Sequence, residues 1–378
     1  LFPYTTLFRS VFAILVSCCI TGREGARCGE FYKDKNGWGI AFDKTEVRNR
    51  FFLYLSALPL FLISALRFGI GTDYFYTYYP GFRVIANGGH MHFELLFHWL
   101  VKFIAIFTHD PQWLFVVTSF LFIFIVYNNI YRISKNIPMA LVVFFLSYVY
   151  FISLNNIRQA LASAFILIAI RCLIEDKVWK YIFFCIVAGL IHQVAFISLA
   201  FIIVKIKKIN ISVWWQMVGT AIGMVLIRFG AKYIIKLISI IPRLNLYFNL
   251  EELLKYTNRT ISTKFILLNI VIFLMYLIIE QTEDGFVADT DWKISKWAQT
   301  FYLLICAADG IVPATYRTLR VIIFLQYITV PNAIEHCKNE KHKYIYYICV
   351  VCIFALMFLE LYSAGSEQVF PYVSIFDV

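Results

Sequence analysis

Long apolar runs, separated by short polar and basic segments, make up most of the chain. Runs such as Gln112–Tyr131, Ile157–Ile174 and Tyr344–Tyr362 are continuously apolar and close to the length that a helix needs to cross a bilayer. The pattern predicts an all-α fold, a polytopic integral membrane helical bundle with about 10–12 transmembrane helices.

The polar segments between the runs assign sides of the membrane, because basic loops favour the cytoplasm. Residues 21–50 are polar and basic and are expected inside, and Phe51–Leu66 then crosses outward. Residues 67–111 form the longest polar-rich outer segment, in which His92–Phe107 has the apolar spacing of an amphipathic or re-entrant helix. Further along, Pro138–Ser153 is predicted to cross outward.

One apolar run conflicts with this rule. As a single straight span, Tyr181–Val204 would leave Lys205, Lys207 and Lys208 outside. Two re-entrant half-helices with a break near His192 keep these lysines inside, and non-helical backbone at that depth is tolerated where it lines a cavity. We therefore predict a re-entrant segment, and the sidedness of residues 181–212 depends on it.

Composition agrees with a membrane protein. The 378 residues are 61% hydrophobic and 15% charged, with a net charge of +11. In a soluble protein this charge would suggest nucleic acid, but lysine and arginine here lie between spans, so no nucleic-acid partner is expected. Cys349 and Cys352 lie inside an apolar run with no further ligand nearby, so neither a metal nor another cofactor is expected.

The first residues do not fit the rest of the chain. Residues 1–10 (LFPYTTLFRS) resemble an in-frame translation of the end of a sequencing adapter, and we expect them to be a sequencing or assembly scar. Residues 11–378 are then expected to form a single membrane domain whose first helix, Val11–Ile20, is truncated.

Several polar residues lie at outer helix ends or inside apolar runs. Ionisable groups in such places cost about 2.5–3.5 kcal/mol each and usually face a cavity or a partner. Arginine binds phosphate bidentately and keeps its charge, so a group of arginines near one surface predicts a site for a multiply charged anion. In a membrane, a diphosphate indicates a polyprenyl-diphosphate carrier. The residues are Arg67, Asp73, Arg158, Gln159, His192, Arg317 and Arg320.

Each of these residues also has a structural interpretation. Arg67 could extend to the membrane surface from a helix end, and the asparagines before Arg158 could cap its helix. His192 could be a buried, hydrogen-bonded side chain, and Asp73 could be a turn residue, an arginine partner or a base.

The two late arginines and the aromatic residues of the outer segment also have structural interpretations. Arg317 and Arg320 share one helical face, and two charges on one face are harder to explain as anchors than one. The aromatic residues of 74–79 suit either an interfacial belt or the binding of sugar rings.

Two motifs before the middle of the chain resemble a known family. Arg67-Phe-Gly-Ile-Gly-Thr-Asp-Tyr74 resembles the R-x-G-x-G-T-D-Y signature of the EpsG family, which are Wzy-like polysaccharide polymerases. Asn156-Ile-Arg-Gln-Ala160 resembles the x-x-R-Q helix start of that family.

The later part of the chain continues the resemblance, which runs from about residue 51 to the end. Ile191-His-Gln193 is similar to the family's x-H-x-S-A segment, although Gln193-Val194 replaces the usual small hydroxyl residue. Arg320, or Arg317, is similar to its late arginine, and Pro371-Tyr372 to its closing Pro-Tyr.

The resemblance implies a metal-independent, hexosyltransferase-like polymerase of the bacterial cytoplasmic (inner) membrane. It would join polyprenyl-diphosphate-linked repeat units of capsule, exopolysaccharide or O-antigen on the outer face. A sugar hydroxyl would attack an anomeric carbon while lipid diphosphate leaves, and arginines would stabilise the charge that develops. We nominate, for binding diphosphate, Arg67, Arg158, Arg317 and Arg320; as the base, Asp73 or His192; and as supporting residues, Thr72, Tyr74, Asn156 and Gln159.

Two other functions remain open at this point. A flippase for the same lipid-linked units would need broken helices in both halves, and a membrane O-acyltransferase acting on polysaccharide also uses an intramembrane histidine. The expected partners of the polymerase are the lipid-linked glycan, the bilayer, and a flippase and chain-length regulator of the same pathway.

Overall fold

The computed structural model describes residues 31–34, 37–40, 44–206, 211–238, 261–312 and 315–377. The predicted scar, the truncated first span, Lys207 and Lys208 lie outside these residues. The described part is mainly helical and contains an antiparallel pair of short strands, β1 (Phe31–Asp34) and β2 (Gly37–Ile40).

The described residues contain thirteen α-helices. They are α1 (Lys44–Ala65), α2 (Tyr79–Ala86), α3 (Leu95–Phe107), α4 (Gln112–Ile133), α5 (Ile137–Leu146), α6 (Val149–Asn155), α7 (Ile157–Ile174), α8 (Val178–Ile191), α9 (Val213–Ile238), α10 (Thr263–Thr282), α11 (Thr290–Ala307), α12 (Thr315–Ile334) and α13 (Glu340–Ser363). A π-helix, Tyr74–Tyr78, precedes α2, and 3-10 helices span Gln193–Lys205 and Ser366–Gln368.

The long apolar helices form a polytopic membrane bundle, as predicted. Within the described ranges, five helices are long and apolar enough to cross a membrane: α4, α7, α9, α10 and α13. A sixth crossing is formed if α5 and α6, bent by 51° at their junction, are one span. Helix α7 is the most enclosed of the five, with 72% of its span buried, so it lies at the centre of the bundle. Among the described residues this count is below the 10–12 expected, because α3, α8, the 3-10 helix Gln193–Lys205 and the apolar part of α1 are shorter, and α11 and α12 do not meet the criteria of length and composition.

The predicted break near His192 is present. Helix α8 ends just before His192, whose backbone is extended, and the chain then continues as the 3-10 helix Gln193–Lys205. The 14 residues of α8 span about 21 Å at about 1.5 Å per residue, which is short of the roughly 30 Å hydrocarbon core.

The two arms around His192 pack antiparallel. The Tyr181 hydroxyl of one arm donates to the Ser198 carbonyl of the other, and Lys205 forms an ion pair with Asp176 at the open end. The chain therefore enters and returns on one side, which is the re-entrant arrangement expected from the lysines.

A second break was not predicted. The run Pro138–Ser153, predicted to cross outward, divides into α5 and α6 at Ser147 and Tyr148. Tyr148 has a left-handed backbone (φ 64°), which an α-helix cannot contain, and its hydroxyl donates to the Ser366 carbonyl at 3.2 Å. The break directs the end of α6, with Asn155, towards the C-terminal segment.

Loops predicted to be cytoplasmic meet at one end of the bundle. Lys135 pairs with Asp289 at 3.0 Å, and His336 contacts the same carboxylate at 3.0 Å. Lys205, at the open end of the re-entrant hairpin, donates to Thr290 at 3.3 Å. Their common location agrees with the assignment of all these loops to one side of the membrane.

The C-terminal residues pack against the outer segment at the opposite end. The Phe68 N–H donates to the Val373 carbonyl at 2.9 Å, and the Ile375 N–H donates to the Leu66 carbonyl at 3.0 Å. The Tyr372 hydroxyl donates to the Ile63 carbonyl at 2.8 Å, so the predicted Pro-Tyr motif holds this C-terminal strap on α1. The strap, residues 366–375, thus lies against the polar positions of the outer end.

Candidate functional site: an arginine-rich site at the outer end

The glycine-rich turn that carries Asp73 is fixed by Asn155. Gly71 has φ 82°, and a Cβ at this position would lie 2.6 Å from the Asn155 side-chain oxygen, so only glycine fits. The same oxygen accepts the Asp73 N–H at 3.0 Å, and the Asn155 amide donates to Thr72 Oγ1 at 3.4 Å. Thr72 and Asp73 are thus held beside the end of α6.

Tyr74, next in the motif, has a packing role. Its ring is buried and stacks on Phe115 with 4.3 Å between centroids and 7° between planes. Its hydroxyl donates to Gln112 at 3.2 Å, so both ends of the side chain are used to fix the outer segment on α4.

Arg158 and His192 meet at a carboxylate that the sequence reasoning missed. Arg158 donates to Glu94 Oε2 at 2.6 Å, and His192 Nδ1 lies 2.7 Å from Glu94 Oε1. Burial alone would raise the pKa of Glu94, but the hydrogen bond from His192 and the charge of Arg158 lower that pKa to about 2. Glu94 is therefore ionised at neutral pH and links α7 to the tip of the re-entrant hairpin.

Arg320 meets a second carboxylate that was not predicted, Glu367 of the C-terminal strap. The two side chains form a buried ion pair, and Glu367 Oε2 also accepts the amides of Asn155 at 2.7 Å and Asn156 at 2.6 Å. Asn156 has no capping hydrogen bond to α7, so the interpretation of the asparagines as helix caps is not what this structure contains.

Arg317 is the accessible arginine of the group. Its side chain is exposed, and its Nε donates to the neighbouring Tyr316 hydroxyl at 3.1 Å. Within the described residues it forms no ion pair, in contrast to Arg158 and Arg320. The Gln159 side-chain amide donates to the Arg317 carbonyl, which joins the starts of α7 and α12.

Three of the nominated arginines act electrostatically on Asp73. Burial raises the pKa of Asp73, while the charges of Arg158, Arg317 and Arg320 lower it, and burial is the stronger effect. Three nominated arginines thus act on one nominated carboxylate, even though two of them begin α12 and one begins α7.

Arg67 lies in a separate polar environment. It is buried, and its guanidinium donates to the Ser64 carbonyl and to Ser119 Oγ at 3.2 Å. It also lies over the Phe115 ring at 4.9 Å and lines a cavity of about 10 Å³. Its guanidinium contacts residues of α1 and α4, whereas the charges of the other three arginines act on Asp73.

The missed residues have weak signals in the sequence. Glu94 is one of only three acidic residues in the outer segment 67–111, with Asp73 and Asp110. Glu367 lies close to the Pro-Tyr motif, and Asn155 directly precedes the R-Q motif. Within the described ranges, no group of three or more His, Cys, Asp or Glu side chains is arranged to hold a metal ion.

Fold and site together define a multi-pass helical membrane protein with a cluster of arginines and carboxylates at one end of the bundle. The sequence profile of the EpsG family matches residues 50–374, nearly the whole chain. The protein belongs to the EpsG family and is accordingly a polysaccharide-polymerase-like membrane protein. No curated protein and no solved structure matches the chain significantly.

Proposed function

We propose that the protein joins polyprenyl-diphosphate-linked oligosaccharide repeat units on the outer face of the bacterial cytoplasmic membrane, in the synthesis of capsule, exopolysaccharide or O-antigen. The observation that carries the proposal is the convergence of Arg158, Arg317 and Arg320 on Asp73. One of them, Arg317, is exposed and has no ion-pair partner among the described residues, so it is free to bind an incoming anion.

The arginines suit the leaving group of this reaction. As the anomeric carbon–oxygen bond breaks, its electron pair passes to the lipid diphosphate, where negative charge grows. Guanidinium groups that are already in position stabilise this charge without reorganisation, and they bind two phosphate oxygens at once. Arg317 would engage the diphosphate first, while Glu94 and Glu367 keep Arg158 and Arg320 in place. Arg67 would support the Gly-Thr-Asp-Tyr turn from below.

A base must take the proton of the attacking sugar hydroxyl. His192 is our first choice, because histidine as a residue type titrates near neutral pH and its Nδ1 is already held by Glu94. Asp73 is the alternative: its pKa is raised by burial, and no hydrogen bond to its carboxylate is found in the described part of the chain. Asp73→Asn and His192→Ala variants distinguish them, because only loss of the base removes the acidic limb of the pH–rate profile.

Deletion of the gene in the source bacterium tests the function. We expect long glycan chains to disappear and single repeat units to accumulate on the lipid carrier, resolved by size on a gel. If the deletion leaves chain length unchanged, the polymerase proposal fails.

Complementation tests the site. Arg158→Ala, Arg317→Ala and Arg320→Ala should each reduce chain elongation by about 10²-fold, the usual effect of one lost charge-stabilising donor. Lysine at positions 158 and 320 should not restore it, since a point charge lacks the bidentate fork. Arg83→Ala is the control: Arg83 is exposed in the outer segment and lies over Tyr79. Normal long chains with Arg158→Ala would contradict the site assignment.

A lipid-linked-glycan flippase is the second candidate, favoured by the two broken helices. The breaks at Tyr148 and His192 both lie next to the arginine site, and transporters use broken helices at their substrate sites. The two functions differ in the membrane leaflet on which lipid-linked repeat units accumulate in the deletion strain. An added glycosidase reaches the units on intact spheroplasts if polymerisation is lost, and does not reach them if flipping is lost.

A further inference from the structure

Glu94 uses its two oxygens for two different partners. Oε1 contacts His192 Nδ1 at 2.7 Å, and Oε2 accepts from Arg158 at 2.6 Å. The residue stands directly before α3 but makes no side-chain capping hydrogen bond to that helix, so its carboxylate is free to link the re-entrant hairpin with α7. The three side chains are mostly buried, with 18% of Glu94, 9% of His192 and 22% of Arg158 exposed.

We infer that Glu94 is the positioning residue that fixes the tautomer and orientation of His192 for base catalysis. This inference rests on the proposed function and deepens it. An ionised carboxylate can only accept hydrogen bonds, so the proton of a neutral His192 must reside on Nδ1. The lone pair is then left on Nε2, the atom that can take a proton from a sugar hydroxyl.

The step balances with these groups alone. The hydroxyl O–H bond breaks and its proton moves to His192 Nε2, while the hydroxyl oxygen bonds to the anomeric carbon. The bond from that carbon to the diphosphate oxygen breaks, and its electron pair leaves with the diphosphate. Glu94 does not take the proton; its charge stabilises the imidazolium that forms.

Charged and titratable groups around this pair come from several elements. Arg158 approaches from α7, Tyr78 from the π-helix contacts the Arg158 backbone at 3.4 Å, and Asp73 lies within electrostatic range of Arg158. The carboxylate of Glu94 is the negative charge in direct contact with the imidazole. A change at Glu94 should therefore act on His192 more than any other single substitution.

The test compares Glu94→Gln with wild type in nanodiscs, using lipid-linked repeat units extracted from the deletion strain. The carboxamide keeps the shape and an accepting oxygen but loses the charge. We expect elongation to fall by about 10²-fold, with kcat affected more than KM. The acidic limb of the pH–rate profile should move to lower pH, because a neutral amide stabilises an imidazolium less than a carboxylate does. A double variant with His192→Ala should lose less than the product of the two single losses, and any loss beyond that of His192→Ala alone would come from the contact of Glu94 with Arg158.

Glu335→Gln is the matched control. Glu335 also links helices, accepting from Asn136 at 3.0 Å and pairing with Lys343 at 3.3 Å. It lies in the loop predicted to be cytoplasmic, so its loss should not move the acidic limb. An unmoved limb and near-normal kcat in Glu94→Gln would overturn the inference. If that variant does not fold, Glu94→Asp keeps the charge and should keep the limb at the wild-type pH.

A spectroscopic readout separates this inference from the proposed function. In histidine-labelled protein, nitrogen NMR should show His192 with its proton on Nδ1, assigned by the signal that is missing in His192→Ala. If wild type does not elongate lipid-linked units, the proposed function fails, whereas a proton on Nε2 overturns the role of Glu94.

Discussion

The ion pair of Arg320 with Glu367 gives the sharpest test of how the C-terminal strap supports the site. The Glu367 side chain is 1% exposed and that of Arg320 9%, and the carboxylate also accepts from Asn155 and Asn156. Removing one partner of a buried pair typically costs about 3–5 kcal/mol. We therefore expect Glu367→Ala to lower the free energy of unfolding by about this amount.

Glu360→Ala is the control within the same part of the chain. Glu360 pairs with Lys264 at 3.6 Å, but these side chains are 28% and 76% exposed. Such exposed pairs contribute about 0–1 kcal/mol, so the two variants should differ by several kcal/mol in unfolding measured in the same detergent. Equal losses in the two variants would refute the claim that the buried pair holds the strap.

A double variant separates stability from binding. Arg320→Met with Glu367→Leu replaces the pair by apolar side chains, an exchange that is often neutral or stabilising. It should therefore be more stable than Glu367→Ala. Elongation should stay low, because the guanidinium proposed to bind diphosphate is gone. Recovery of elongation together with stability would show that Arg320 is only a structural residue.

Three further predictions concern the turn, the carboxylate and the topology. Gly71→Ala should destabilise the protein by well over 1 kcal/mol in thermal unfolding. Gly88 has a similar φ of 81° but open space around it, so Gly88→Ala should destabilise less. Equal losses would contradict the close approach at Gly71. Asp73→Asn should raise thermal stability and lower elongation. Burial raises the pKa of Asp73, so the protonated carboxyl favours the folded state, and this contribution to stability is lost as pH rises. The gain from Asn should thus grow from acid to neutral pH, and a gain independent of pH would contradict it. Cysteines replacing Asp176 and Lys205 should be labelled by an impermeant reagent from the same side of the membrane; labelling from opposite sides would exclude the re-entrant hairpin.

The class of the protein and the central helix follow from local pattern. The bounds of α7, Ile157–Ile174, are those of the apolar run. Neighbouring residues mark both ends: asparagines precede the helix, and acidic and basic residues follow it. The break at His192 was also predictable, since the positions of three lysines conflicted with a straight span. The break at Tyr148 was not, because no proline, glycine or charge marks it.

The nominated site residues come together only partly as expected. Arg158, Arg317 and Arg320 do act on Asp73, but Arg67 lies among α1 and α4 side chains. Arg158 is held by Glu94, and Arg320 by Glu367. No motif indicated these two carboxylates. A motif shows which residue types a reaction requires; it does not show which other residues hold them in place.

By itself, the sequence determined the membrane bundle, the family and the residue types of the outer cluster, because hydropathy, loop charge and short motifs are properties of neighbouring residues. Only the tertiary structure decided the partners. Glu94 is 98 residues from His192 in the chain, and Glu367 is 212 residues from Asn155. Such contacts depend on how the breaks at Tyr148 and His192 and the returning C-terminal strap bring distant segments to one end, and the packing of whole helices sets that geometry.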